Sequence, residues 1–156
     1  MRSARPLFVL LLLLPGAPAL SGCDSQQAGR CETTDTFAIE DITPEGTELG
    51  ATAALGSCVT VDYVGRFPET GEVFDEGTDL SFFVTARGSG VVTGFALGAN
   101  NQRVNQQRRV LVPPDFGYGS GGLRDREGNV VIPSCSTLEF DITLTRVNQD
   151  TRVCER

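Results

Sequence analysis

Few side chains in this sequence are equipped for chemistry, and their types narrow what that chemistry can be. Residues 91–122 read VVTGFALGANNQRVNQQRRVLVPPDFGYGSGG. An apolar pair, Val91 and Val92, leads into a helix-sized segment with Phe95 and Leu97, and Tyr118 stands between glycines beyond Pro113-Pro114. The stretch has no pattern for a nucleophile, a metal ligand set or a phosphate cradle. Its chemistry must come from an apolar, aromatic-lined hollow and a few hydrogen bonds. The whole chain lacks Lys and His, so the usual general base and the commonest metal ligand are missing. Gly119 to Gly122 is followed by no Lys at Walker spacing, which makes it a mobile flap rather than a phosphate loop. No cofactor and no metal are expected.

The chain has 156 residues, enough for one domain after a leader is removed. Arg2 and Arg5 precede the apolar run Leu7 to Leu14, and Leu20-Ser21-Gly22-Cys23 ends it with small residues before a cysteine. That is the layout of a signal peptide, with an apolar run too short for an ordinary transmembrane helix. Residues 20–23 resemble the lipobox of bacterial lipoproteins. The resemblance implies cleavage before Cys23, lipidation of its sulfur, and a cell-envelope location outside the cytoplasm (periplasmic if the cell has two membranes). Residues 1–22 are thus read as leader and 23–36 as a lipidated, polar tether, with more than one acyl chain giving stable anchoring. From residue 23 onward all 20 acidic residues face 11 arginines, a net charge of −9. No basic patch exists to neutralise phosphates, which excludes nucleic acid and anionic lipid as partners. Cys31, Cys58, Cys135 and Cys154 remain. An even count in an exported chain reads as two disulfides, with three connectivities open. No pair has C-x-x-C spacing, which argues against a metal site.

The elements that would position Phe95 and Tyr118 are mostly strands. Phe37 to Ile42 alternates enough for a first strand ending at Thr43-Pro44-Glu45-Gly46. Residues 58–67 place Val59, Val61, Tyr63, Gly65 and Phe67 on one face. After a turn at 68–71, residues 72–75 and 80–84 read as one edge strand broken by a bulge at Gly77-Thr78-Asp79. Thr93 is a plausible start for a helix over 94–102, and Asn105, tolerant of positive φ, marks a turn. Residues 108–112 form a strand stopped by two prolines. Residues 119–130 read as a long flexible loop. Leu138, Phe140, Ile142 and Leu144 alternate inward along the last strand. The result is an α+β domain whose mostly antiparallel sheet wraps one helix.

Taken together, VTVDYVGRF, EVFDEG, LSFFV, VVTGFALG, PPDFGYG and VIPSCSTLEFDITL resemble the FKBP-type peptidyl-prolyl cis-trans isomerases, in the family's order over about residues 37–147. The resemblance implies an FKBP-like five-stranded antiparallel sheet curled around one short helix over 37–148, with an apolar pocket between them and a tail, 149–156, held by a disulfide. Tyr63 matches the pocket-wall tyrosine, Phe74 the aromatic beside the proline ring, and Asp75 a buried carboxylate at the rim. Val91 and Val92 match the apolar pair before the helix, with the Val92 N–H binding a substrate carbonyl. Phe95 matches the floor, usually Trp, and Tyr118 the tyrosine whose hydroxyl binds a carbonyl. Leu80 stands where the family has Phe or another apolar residue, Val131 and Ile132 close one side, and Phe140 packs beneath, fitting a core role as well as a site role. The family's strand order would pair Cys31 with Cys135 and Cys58 with Cys154. Departures are the shortened 75–80 loop, two extra residues in 85–90, and Arg124-Asp125-Arg126 in a lengthened loop where a His is frequent.

Such a site suits prolyl isomerisation on physical grounds. Rotation about an X–Pro bond meets a barrier of about 18–20 kcal/mol because amide resonance must be broken. The twisted amide has less charge separation than the planar one, so a dry aromatic pocket favours it relative to water. No base, metal or covalent intermediate is required. The expected partners are proline-containing segments of exported proteins, met by a monomer anchored at a membrane. The alternative is an FKBP-like module that holds proline-bearing chains with little turnover.

Overall fold

A computed structural model of the chain describes residues 29–85, 90–148 and 150–154. The predicted leader, Cys23 and residues 86–89 lie outside these described residues. Among the described residues, seven strands and one α-helix occur in the order β1 (Ala38–Asp41), β2 (Cys58–Arg66), β3 (Val73–Phe83), α1 (Thr93–Gly98), β4 (Gln107–Val112), β5 (Leu123–Arg124), β6 (Val130–Ile132) and β7 (Leu138–Asn148). Five form an antiparallel sheet in the order β1-β4-β7-β2-β3, and β5 pairs with β6 separately. The expected five-stranded sheet around one short helix is what the chain builds.

Alternation sets which side of the sheet meets the helix. Val59 and Val61 of β2, Val110 and Val112 of β4, and Leu138, Phe140, Ile142 and Leu144 of β7 are buried, and with Phe82, Phe95 and Ala96 they form one core. Helix α1 lies close on β4 because two glycines face it. A Cβ on Gly94 would stand 2.5 Å from Val112, and one on Gly98 would stand 2.7 Å from Val110. Charged residues occupy the opposite side. Asp141 of β7 takes two hydrogen bonds from Arg109 of β4 (2.8 and 3.0 Å) and one from Arg66 of β2 (2.6 Å), bridging three strands.

Edge strand β3 carries the expected irregularity and a second one. Val61 pairs with Leu80 but Tyr63 with Gly77, leaving Thr78 and Asp79 opposite Asp62 alone. Asp79 adopts φ +56°, and its N–H donates to Asp62 Oδ1 at 2.9 Å. Nearer the turn, Gly65 pairs with Asp75 and Arg66 with Val73, so Phe74 is the extra residue.

Two expectations are corrected. The helix ends at Gly98, not 102. Asn101 sits at φ +57°, and Arg108 fills the space beyond the helix end, donating to the carbonyls of Gly98 (3.0 Å), Asn100 (2.7 Å) and Asn101 (2.8 Å). A guanidinium that satisfies the terminal carbonyls replaces further helical turns. Residues 119–130 are not one irregular loop. A short 3-10 turn at Gly119–Gly121 leads into the β5–β6 hairpin, closed where Asp125 accepts from the N–H (2.8 Å) and side-chain amide (2.9 Å) of Asn129. Asn105 is at a turn as expected, with φ +70°.

Both disulfides implied by the resemblance are formed: Cys31–Cys135 and Cys58–Cys154. The second holds a 3-10 turn, Thr151–Cys154, against β2 and β3.

Candidate functional site

A cavity of about 180 Å³ opens between α1 and the sheet, lined by Tyr63, Asp75, Leu80, Gly90, Val91, Val92, Phe95, Tyr118 and Phe140. Five separated parts of the sequence meet there. Strand β2 contributes Tyr63, β3 contributes Asp75 and Leu80, and β7 contributes Phe140. The entry to α1 supplies Gly90 to Phe95, and the segment after β4 supplies Tyr118.

Aromatic edges and faces shape the floor. Phe95, 3% exposed, meets Phe140 edge-on at 5.0 Å between centroids and Tyr63 edge-on at 5.2 Å, with Phe82 behind it at 5.4 Å. Such edge-to-face contacts are the favoured arrangement of ring quadrupoles. They fix the three rings as one unit.

The polar groups sit at the rim. The Tyr63 hydroxyl donates to Asp75 Oδ2 at 2.8 Å. Burial, and then the acceptor bond and charge of Asp75, push the Tyr63 phenol up to about 12. Burial first and the charge of Asp75 second also raise the Tyr118 phenol. Both hydroxyls are therefore donors at neutral pH. Tyr63 is engaged by Asp75, whereas the Tyr118 hydroxyl has no hydrogen-bond partner among the described residues. Asp75, expected to be buried, is exposed at the rim because it lies on the edge strand.

Val92 is the residue before α1, with φ −64° and ψ 149°, and its carbonyl accepts from the Ala96 N–H at 3.1 Å. It has no side chain able to cap the helix. Its own N–H stays unbonded among the described residues and belongs to the orphan donors of a helix start.

Eight of the eleven nominated pocket residues thus come together. Phe74 does not line the cavity. Its ring packs edge-on against Phe140 at 5.6 Å and beside Phe67 at 5.1 Å, over Gly65, where a Cβ would approach the Phe74 and Phe140 rings to 2.8 and 2.9 Å. It braces Phe140 from behind. Val131 and Ile132 also fall outside the lining. Ile132 is in the core and Val131 is exposed on the hairpin. Gly90 also lines the cavity; its position beside the Val91-Val92 pair is the sequence signal for it.

Residues 50–145 match the family of FKBP-type peptidyl-prolyl cis-trans isomerases. The chain belongs to this family. Among its FKBP relatives, FK506-binding protein 3 of Candida albicans is 41% identical over 96 residues, covering 61% of this chain and 21% of that protein. Peptidyl-prolyl cis-trans isomerase FKBP15-3 of Arabidopsis thaliana is 33% identical over 114 residues, 72% of this chain and 75% of that one. The solved structure of a peptidyl-prolyl cis-trans isomerase from Pseudomonas syringae superposes with a TM-score of 0.59 at 29% identity, covering 80% of this chain and 84% of the other. The chain spans about a fifth of the length of several curated FKBP relatives, the Candida protein among them.

Proposed function

We propose that this FKBP domain is a peptidyl-prolyl cis-trans isomerase that assists the folding of exported proteins by removing the X–Pro amide from water. The observation that carries the reading is the cavity itself: a ring-sized hollow with an aromatic floor of Phe95 and Phe140, lined also by Tyr118, whose hydroxyl has no partner among the described residues. The proline ring enters between Phe95, Phe140, Val91, Val92 and Leu80. The Val92 N–H and the Tyr118 hydroxyl donate to carbonyls of the substrate backbone, holding the chain while the bond turns.

Catalysis follows from what this site does to an amide. The planar ground state is the more dipolar form and gains least from a dry aromatic surface; the twisted form loses least. Each 1.4 kcal/mol of such differential stabilisation multiplies the rate about tenfold, against a barrier of about 18–20 kcal/mol. Asp75 positions Tyr63, and Phe74 braces Phe140, so both support the wall rather than touch the amide.

Location follows from the sequence. Lipidation at Cys23 would anchor a monomer at a bacterial membrane, facing outside the cytoplasm, where two disulfides persist. A protease-coupled assay on proline tetrapeptides, with peptide binding titrated in parallel, tests the activity. Acceleration that saturates with peptide supports an isomerase. Binding without acceleration assigns the domain to holding chains, and neither result would remove the proline-site reading.

A further inference from the structure

Residues 31–37 precede the matched FKBP region and are not part of the cavity lining, yet they are fastened on both sides of the segment that carries Tyr118. We infer that this strap is a positioning element for Tyr118, with Phe37 its principal contact. The inference rests on the proposed role of the Tyr118 hydroxyl as a donor to substrate.

The Tyr118 segment has little in its own sequence to hold it still. Gly117 and Gly119 flank the tyrosine, and Gly121 and Gly122 follow; a glycine-rich backbone loses more entropy on being fixed than any other. Support comes from outside. Two residues before Tyr118, the Phe116 ring, 36% exposed, stacks on Phe37 with 5.3 Å between centroids and 29° between planes. One residue after it, the Gly119 carbonyl accepts the Cys135 N–H at 2.9 Å. Cys135 is bonded to Cys31, at the start of the strap, and Thr137 donates to the Asp35 carboxylate at 2.6 Å. The strap is therefore fastened to the Tyr118 segment directly at Phe116 and, through Cys135, at Gly119. Removing Phe37 frees one fastening; because its ring also packs against the core, the β7 amides serve as the control for a general loosening of the sheet.

Displacement of a positioned donor by about 1 Å is enough to cost a large part of its effect on rate. Two measurements on the whole chain test the strap. In amide hydrogen exchange, Phe37→Ala should speed exchange at Gly117 and Gly122, whose N–H groups are bonded to Pro114 and Tyr118 carbonyls, while β7 amides keep their protection. In a double-mutant cycle, Phe37→Ala should lower kcat/KM roughly three- to tenfold, the worth of one hydrogen bond. In the Tyr118→Phe background it should cost less than about twofold, since the hydroxyl it positions is gone. Phe37→Tyr should restore most of the loss. Unchanged exchange at Gly117 and Gly122, or an equal cost in both backgrounds, overturns the inference. A wild-type chain that accelerates nothing would instead overturn the isomerase reading, and the exchange experiment would still decide the strap.

Discussion

At the scale of single residues, Tyr63 and Tyr118 divide the work at the rim. Tyr63 spends its proton on Asp75 and becomes a fixed wall, while Tyr118 keeps its donor free for a ligand. The two differ in what alkaline pH should reveal. The Tyr63 phenol rises from 10.0 to about 12 in the folded chain, so the unfolded chain releases this proton first. The stability contributed by the hydroxyl is fully present below pH 10 and is lost as pH rises from 10 towards 12. Denaturant midpoints compared at pH 9 and pH 11 should fall for the wild type and fall less for Tyr63→Phe. Equal falls would mean that the Tyr63–Asp75 bond contributes no such linkage. Between pH 6 and 9 both phenols remain protonated and the chain has no His to titrate, so kcat/KM should stay level there.

At the scale of elements, the site depends on close approach where a side chain is missing. Gly65 of β2 lets Phe74 and Phe140 meet edge to face, and any Cβ there would stand under 3.0 Å from both rings. Gly65→Ala should destabilise the fold by about 1–3 kcal/mol, the usual cost of overpacking, and should reduce proline-peptide affinity through a displaced Phe140. Chemical denaturation and peptide titration of the same variant check both. The elements themselves were readable to different degrees. Strand β7 and the β2 face followed from alternation, and the break in β3 followed from Gly77-Thr78-Asp79. The β5–β6 hairpin was hidden because its strands are two and three residues long, too short for alternation to register among glycines and charges. Helix α1 was overestimated because the agent that stops it, Arg108, lies ten residues beyond its last residue. Of the residues singled out for the site, eight line one cavity, but Phe74 packs on Phe140 and Ile132 lies in the core, partners that lie far off in sequence.

At the scale of the whole molecule, two disulfides tie the first and last described segments to the sheet and its neighbouring loop. Cys58–Cys154 closes a separation of 96 residues and holds the final turn against β2 and β3. Cys58→Ser with Cys154→Ser should cost about 2–4 kcal/mol of stability without abolishing the cavity, which lies on other residues. A loss of peptide binding equal to that of a cavity variant would contradict this separation of frame and site. As the proposed isomerase, the chain turns an X–Pro bond over in its cavity as well as holding it there. Two-dimensional exchange NMR on a short Xaa-Pro peptide reads both states without a coupling protease. With a few per cent of wild-type protein, cis–trans exchange cross-peaks should appear on a sub-second timescale, against tens to hundreds of seconds unaided, and Tyr118→Phe should slow them roughly three- to tenfold. Peptide resonances that shift on binding while the cis–trans exchange rate stays at its unaided value would contradict the account.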